Sequence, residues 1–186
     1  VEAGVTLVQY RDKSDNLQMI SANAALLSEL LKSYNVPLIV NDYVDLAVAA
    51  SADGVHLGQG DASIEEAREK FGEDAIIGQT AFTEEHIKAV DPNIVDYIGT
   101  GPFYPTQTDK GKPVLGAEKF AALAELSPVP VVGIGGITPD NVADVIAAGA
   151  DGIAMMRAIS EAHDISGAVK AFRQEIDAAK AKRAVA

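Results

Sequence analysis

Seven short runs of apolar, often β-branched residues recur along the chain: Val5–Tyr10, Pro37–Asn41, Gly54–Gly58, Ala75–Thr80, Val95–Gly99, Val129–Ile134 and Gly152–Met156. Most are continuously apolar, the pattern of strands buried on both faces. Between them the spacing changes to that of helices. Leu17, Ile20, Ala24, Leu27, Leu30 and Leu31 mark a helix over Leu17–Tyr34. Asp140–Ala148 reads the same way, with Gly149 as its C-cap, and so does Ser166–Lys182. Strands and helices alternating through short connections predict a parallel sheet with right-handed crossovers.

Polar residues choose between a closed and an open sheet. They fall at the C-terminal end of nearly every predicted strand: Gln9 and Arg11, Asn41 and Asp42, His56 and Gln59, Thr80, Thr106 and Thr108, Gly135 and Gly136, then Arg157. In a barrel those ends meet at one mouth, whereas in an open sheet only the ends beside a switch point converge. The expected fold is an α/β TIM barrel of the (β/α)8 kind, a single domain over residues 1–186. Seven strands are one short of eight. Val1-Glu2-Ala3-Gly4 reads as the tail of a helix with a glycine C-cap, so the first strand and most of the first helix are expected to be missing from this chain.

Composition changes the picture mainly through charge. A length of 186 residues, 48% hydrophobic and 23% charged, suits one globular domain. The net charge of -12 argues against a nucleic-acid partner, which needs basic patches. No run of about 18 apolar residues suggests a membrane span. No leader pattern is visible, and a chain without cysteine makes neither disulfides nor a thiolate metal site. A cytoplasmic location is the default, and a homo-oligomer is left open. In so acidic a chain any positive charge that binds phosphate must be local, which makes each Lys and Arg position informative.

Four segments carry candidate chemistry. Gly133-Ile134-Gly135-Gly136-Ile137-Thr138 ends a strand and leads into a helix expected near Pro139-Asp140-Asn141. A tight glycine turn at such a place presents backbone N–H groups to a phosphate, although a turn without a ligand would look the same. Asn41-Asp42 and Gly58-Gln59-Gly60-Asp61 each follow a strand. One aspartate alone reads as a helix N-cap. Asp42 and Asp61 together, beside Asn41 and Gln59, favour Mg²⁺ held by two carboxylates and substrate phosphates.

Gln9, Arg11 and Lys13 lie at period two, on one side of an extended chain, and would clamp a diphosphate. The plainer reading is a solvated charge run paired with Asp12 and Asp15. The long loop from Gly99 to Lys112 offers Thr hydroxyls and lysines to a second anionic group, and reads as a mobile lid. His56 sits within a strand and is expected to be a hydrogen-bonded interior residue, while His86 and His163 are expected at the surface. No Ser/His/Asp or Cys/His constellation can be assembled.

At these residues the chain resembles the thiamine-phosphate synthase family. The segments that carry the resemblance are Val5–Lys13, Pro37–Ala47, Gly54–Asp61, Gly101-Pro102-Phe103-Tyr104-Pro105-Thr106-Gln107-Thr108 and Gly135-Gly136-Ile137. They occur in the family's order and span residues 4 to about 160. The resemblance implies a Mg²⁺-dependent transferase with two small-molecule substrates, a pyrimidine diphosphate and a thiazole phosphate. Gln9, Arg11, Lys13 and Asn41 would bind the pyrimidine diphosphate, with Thr80 on its diphosphate and Asp42 and Asp61 on Mg²⁺. Thr106, Gln107, Thr108, Gly135 and Gly136 would hold the thiazole phosphate, helped by the backbone at Met156 and Arg157. Arg11, Lys13 and Lys110 would be catalytic by stabilising the leaving diphosphate.

Two positions depart from the family pattern. Asp109 stands where a lysine is usual, with Lys110 one place later, and Arg157 stands where a small residue, often Ser, is usual. Two other readings follow from the same residues: a thiazole tautomerase, which needs no diphosphate clamp, and a barrel that only binds a thiazole or thiamine phosphate.

Overall fold

The computed structural model describes residues 1–108 and 111–185, and a strand forms at each of the seven apolar runs, the fifth extending one residue past its run to Thr100. The residues group into two compact units. Residues 1–80 with 91–96 form the first. It holds β1 (Val8–Tyr10), α1 (Leu17–Lys32), β2 (Leu38–Asn41), α2 (Val44–Ala49), β3 (Gly54–Leu57), α3 (Ile64–Phe71) and β4 (Ile76–Thr80). The strands pair in that order and all in parallel, with Gln9 opposite Ile39, Asn41 opposite His56, and Leu57 opposite Gln79.

β2 and β3 lack alternation because both of their faces are covered. Leu38, Ile39, Val40, Val55 and Leu57 are at most 1% exposed. Each fully buried aliphatic side chain contributes roughly 1.5–3 kcal/mol, so these strands are a large part of the unit's core. α1 begins where the Asn16 side chain accepts the Met19 N–H at 3.0 Å, and it turns Ile20, Ala24 and Leu31 inward at helical spacing. α3 begins at Ser63, whose hydroxyl accepts from the Glu66 N–H.

The second unit comprises residues 81–90 and those from 97 onward. It holds α4 (Glu84–Lys88), β5 (Tyr97–Thr100), α5 (Gly116–Leu126), β6 (Val131–Ile134), α6 (Val142–Ala147), β7 (Gly152–Ala154), α7 (Arg157–Ser160) and α8 (Ile165–Arg183). β5, β6 and β7 pair in parallel, with Gly99 opposite Val132 and Ile134 opposite Ala154. Ile98, Phe103, Phe120, Val142, Ile146 and Phe172 are buried here, and the Phe103 and Phe120 rings lie 5.0 Å apart.

One device recurs at the start of strands. The Asp53 N–H donates to Leu38 O, while its carboxylate accepts the Leu38 N–H, both at 2.8 Å. Asp96 does the same to Ile77, and Asp151 to Val131. Each aspartate therefore pins the first residues of the preceding strand through both backbone groups, which would otherwise need another partner. Arginines reinforce two of the three. Arg68 reaches Asp96 at 2.8 Å, and Arg183 reaches Asp151 at 3.1 Å.

Two boundaries differ from expectation. The period-two run from Gln9 to Lys13 does not continue as strand beyond Tyr10. Asp12 accepts the Ser14 N–H at 2.8 Å and the Tyr10 hydroxyl at 3.1 Å, so the chain turns there. The Ser14 N–H in turn holds the Asp12 carboxyl below its usual range. The helix expected from Asp140 starts at Val142. Asn141 spends its side chain on the glycine turn, accepting from the Thr138 N–H at 2.8 Å and donating to Gly136 O at 3.2 Å.

Candidate active site

In the first unit the C-terminal ends of the strands gather most of the expected residues. Asn41 is the last residue of β2, and Asp42 follows it with φ of +70°. A non-glycine residue in that region costs about 1–3 kcal/mol, a strain that clusters at functional positions. The Asp42 N–H donates to His56 O at 2.9 Å, and its carboxylate is ion-paired with the Lys13 ammonium. Asp42 therefore does not cap α2, whose N-cap is Tyr43 with no side-chain hydrogen bond.

Asp61 does not cap α3 either, since Ser63 does. Its carboxylate accepts the Gly58 N–H at 2.6 Å. Burial pushes the Asp61 carboxyl above the usual carboxylate range, the Gly58 N–H pulls it back, and Asp42 in hydrogen-bonding range pushes it up again. Lys13 acts in the opposite sense on Asp61. Asp42 and Asp61 thus act on each other as like charges, with the Lys13 ammonium beside them.

The donor set fits a hard divalent ion. No group of three or more His, Asp or Glu suited to a metal occurs among the described residues. Mg²⁺ commonly takes only one or two carboxylates, completing its shell with water and phosphate oxygens.

His56 is 8% exposed, and its Nε2 lies 2.9 Å from the Thr80 hydroxyl, the interior hydrogen-bonded histidine that was expected. The Gln59 amide donates to Thr80 O at 2.6 Å. Two neighbours thus fix Thr80 at the end of β4. Gln9 and Arg11 are exposed, and the Arg11 guanidinium makes no ion pair among the described residues.

In the second unit the glycine turn and the long loop are built against each other. Gly135 and Gly136 have φ of +97° and +66°. A Cβ on Gly135 would lie 2.6 Å from Pro102 Cβ, and one on Gly136 would lie 2.5 Å from Pro105 O. Glycine is required at both by conformation and by contact. The Phe103 N–H donates to Ile134 O at 2.9 Å and the Tyr104 N–H to Gly135 O at 3.0 Å. Across the loop, the Leu115 N–H donates to Pro102 O and the Gly116 N–H to Phe103 O. Thr106, Gln107 and Thr108 extend from this pinned neck, and the Thr108 N–H donates to the Thr106 hydroxyl at 3.3 Å. Lys110, expected to be catalytic, and Asp109 lie outside the described residues.

β6 and β7 put the Gly135–Gly136 turn and Met156 beyond the same ends of adjacent strands. Arg157 opens α7, and its fork is taken by Glu161, at 2.7 and 3.0 Å. That carboxylate raises the arginine and is itself lowered by it. The side chain is committed to its own helix, which leaves the backbone at Met156 and Arg157 as the polar surface.

Three features were not singled out from the sequence. The Tyr104 hydroxyl donates to Asp144 at 3.2 Å, Asn141 ties the glycine turn, and the Lys112 ammonium lies 4.9 Å from the centre of the Phe82 ring. Nothing in the spacing of Asp144, forty residues from Tyr104, announces that contact.

Comparison with known proteins places the chain in a family. Residues 1–159 match the family model described as thiamine monophosphate synthase. A thiamine-phosphate synthase of Natronomonas pharaonis is 39% identical over 180 residues, covering 95% of this chain and 84% of that protein. One from Bacillus cereus is 43% identical over 182 residues, covering 95% and 82%. The solved structure of thiamine phosphate pyrophosphorylase from Pyrococcus furiosus superposes with a TM-score of 0.86 at 34% identity, over 96% of this chain and 86% of that one. The fold class read from the strand–helix order, an α/β fold of the TIM-barrel type, is the one the chain has.

Proposed function

The chain belongs to the thiamine monophosphate synthase family, and from that premise we propose that it is itself a thiamine-phosphate synthase. It would condense 4-amino-2-methyl-5-hydroxymethylpyrimidine diphosphate with 4-methyl-5-(2-phosphooxyethyl)thiazole to give thiamine phosphate and diphosphate. The observation that carries the reading is the Lys13–Asp42 ion pair at the end of β2, with the Asp61 carboxylate, held by the Gly58 N–H, acting on Asp42 as a like charge. A thiazole tautomerase has no use for a diphosphate clamp of that kind.

The reaction is an alkyl transfer. The bond from the pyrimidine methylene to the diphosphate oxygen breaks, the diphosphate leaves with the electron pair, and the thiazole nitrogen bonds to the methylene carbon. No general base is needed, which suits a site whose one buried histidine is hydrogen-bonded to Thr80. In this reading Lys13, Arg11 and Lys110 meet the charge that develops on the leaving group, where fixed cations contribute most. Asn41 and Gln9 orient the pyrimidine, and Thr80 contacts the diphosphate. Mg²⁺ held by Asp42 and Asp61 would supply neutralisation of diphosphate charge.

In the second unit, Thr106, Gln107, Thr108 and the Gly135–Gly136 turn hold the thiazole phosphate, with the backbone at Met156 and Arg157. Holding both substrates in reacting orientation supplies the remaining rate. No helix among the described residues is long and apolar enough to cross a membrane, and a cytoplasmic enzyme acting on small phosphorylated molecules is part of the proposal.

The test is an endpoint assay with both substrates and Mg²⁺, repeated with Asp42→Ala. Wild-type protein should form thiamine phosphate, and the variant should lose several orders of magnitude in turnover while keeping its fold. Near-normal turnover of Asp42→Ala at limiting Mg²⁺ would remove the metal assignment. Absence of product from the wild type, with tight binding of thiazole phosphate in calorimetry, would favour the non-catalytic binder.

A further inference from the structure

The hydroxyl of Tyr104 has no part in the reading above, yet among the described residues it makes the one side-chain hydrogen bond between the long loop and α6. Tyr104 lies between the buried Phe103 and the Thr106–Thr108 segment. Its N–H is fixed on Gly135 O, its ring lies 4.8 Å from that of Phe103, and its Cβ stands where a side chain on Gly136 would clash. Asp144 lies in the first turn of α6, the helix that follows the glycine turn. The carboxylate accepts the phenol hydrogen at 3.2 Å. Burial, then the Asp144 hydrogen bond and charge, push the phenol above its ordinary range, so it stays protonated and able to donate.

Thr106 comes two residues after Tyr104. Beyond Pro105, Thr106–Thr108 has only the local Thr108–Thr106 hydrogen bond among the described residues. A rotation of Tyr104 about its backbone would therefore shift Pro105, whose carbonyl lies against Gly136, and the threonines beyond it. We propose that Tyr104 and Asp144 are a positioning pair, which holds Thr106–Thr108 in register with the Gly135–Gly136 turn and so sets affinity for the thiazole phosphate. The inference rests on the assignment of that segment under the proposed function, and it adds two residues that do not touch substrate.

Tyr104→Phe deletes the hydroxyl and keeps the ring packing. Asp144→Ala deletes the acceptor, whereas Asp144→Asn keeps an oxygen that can accept. Steady-state kinetics on the full chain should show the KM for thiazole phosphate raised about fivefold to tenfold in Tyr104→Phe and Asp144→Ala, the loss expected for one ordinary side-chain hydrogen bond. The KM for the pyrimidine diphosphate and the saturated kcat should stay within about twofold, a split that general loosening of the fold would not give. Asp144→Asn should fall nearer the wild type, and the double variant Tyr104→Phe/Asp144→Ala should be no worse than either single one.

An unchanged thiazole-phosphate KM in Tyr104→Phe, or an equal rise in both KM values, overturns the proposal. If the wild type makes no thiamine phosphate, the functional reading fails separately. Calorimetric titration with thiazole phosphate alone then decides the pair. Weaker binding by Tyr104→Phe supports it, and equal binding, or none by either protein, refutes it.

Discussion

The Lys13 ammonium is ion-paired with the Asp42 carboxylate across 29 residues of sequence, joining the segment after β1 to the end of β2. The lysine end is 52% exposed and the aspartate end 15%. A pair so open to water contributes about 1 kcal/mol or less to stability. Lys13→Met should therefore change Tm by no more than about 4 °C. If the same ammonium clamps the diphosphate, kcat/KM for the pyrimidine substrate should fall by roughly 100-fold or more, about 2.7 kcal/mol of transition-state stabilisation. Thermal unfolding and kinetics on one preparation separate the two effects, and a Tm drop without a kinetic loss would leave Lys13 a surface residue.

Asp61 is expected to trade stability for function. Its carboxyl is raised by burial and by Asp42, so the folded state holds that proton more tightly than the unfolded one. Ionised Asp61 therefore weakens the fold above the ordinary carboxylate range, and the penalty disappears as acid protonates it in both states. Asp61→Asn keeps an oxygen for the Gly58 N–H and removes the charge. Its Tm at neutral pH should rise by about 2 °C, with the gain vanishing below about pH 4, while turnover falls at least ~100-fold. Lower stability at neutral pH in this variant would show that the charge is not the source of the strain.

The strand–helix order and the strand-end location of the polar residues were legible because continuous apolar runs and helical periodicity are local signals. Asn41, Asp42, Thr80 and Gly135–Gly136 sit where those signals ended. Arg11 and Lys13 were misjudged in geometry, because period two holds only while a strand lasts, and Asp12 bends the chain right after Tyr10. The side-chain partner of Arg157 was not legible, because Glu161 lies one turn on at the end of a four-residue helix that periodicity does not reveal. Tyr104–Asp144 and the aspartates that pin strand starts join positions far apart in sequence. A single sequence carries no sign of such pairings.

Those aspartates give a stability prediction with no catalytic component. Asp151 accepts the Val131 N–H at 3.0 Å and the Arg183 guanidinium at 3.1 Å, at the start of β6. Asp151→Ala leaves a part-buried strand N–H without its acceptor and frees Arg183 from its carboxylate. The cost should be about 2 kcal/mol, or roughly 4–8 °C in Tm. Asp151→Asn, which keeps an oxygen for the Val131 N–H and loses the ion pair with Arg183, should cost less. Differential scanning calorimetry of both variants checks the order, and equal losses would mean that the ion pair carries the anchor.

Gly136→Ala tests whether the glycine turn is shaped for the loop that lies on it. Alanine at φ of +66° costs about 1 kcal/mol in backbone energy alone. The added Cβ would also lie 2.5 Å from Pro105 O and 2.7 Å from Tyr104 Cβ. Neither neighbour can yield without moving the loop, because Tyr104 is held by its N–H on Gly135 O and by its hydroxyl on Asp144. The strain should therefore pass into Pro105 and the threonines beyond it. The expected outcome is a Tm lowered by several degrees, with a thiazole-phosphate KM raised by about tenfold or more and a much smaller change for the pyrimidine diphosphate. Gly72→Ala is the control: it has φ of +87° but nothing within 4 Å of the added carbon. Its ψ of -177° puts it in a region essentially reserved for glycine, so it should cost at least as much backbone energy and leave both KM values alone. If Gly136→Ala behaves like Gly72→Ala, the turn serves the fold and not the phosphate.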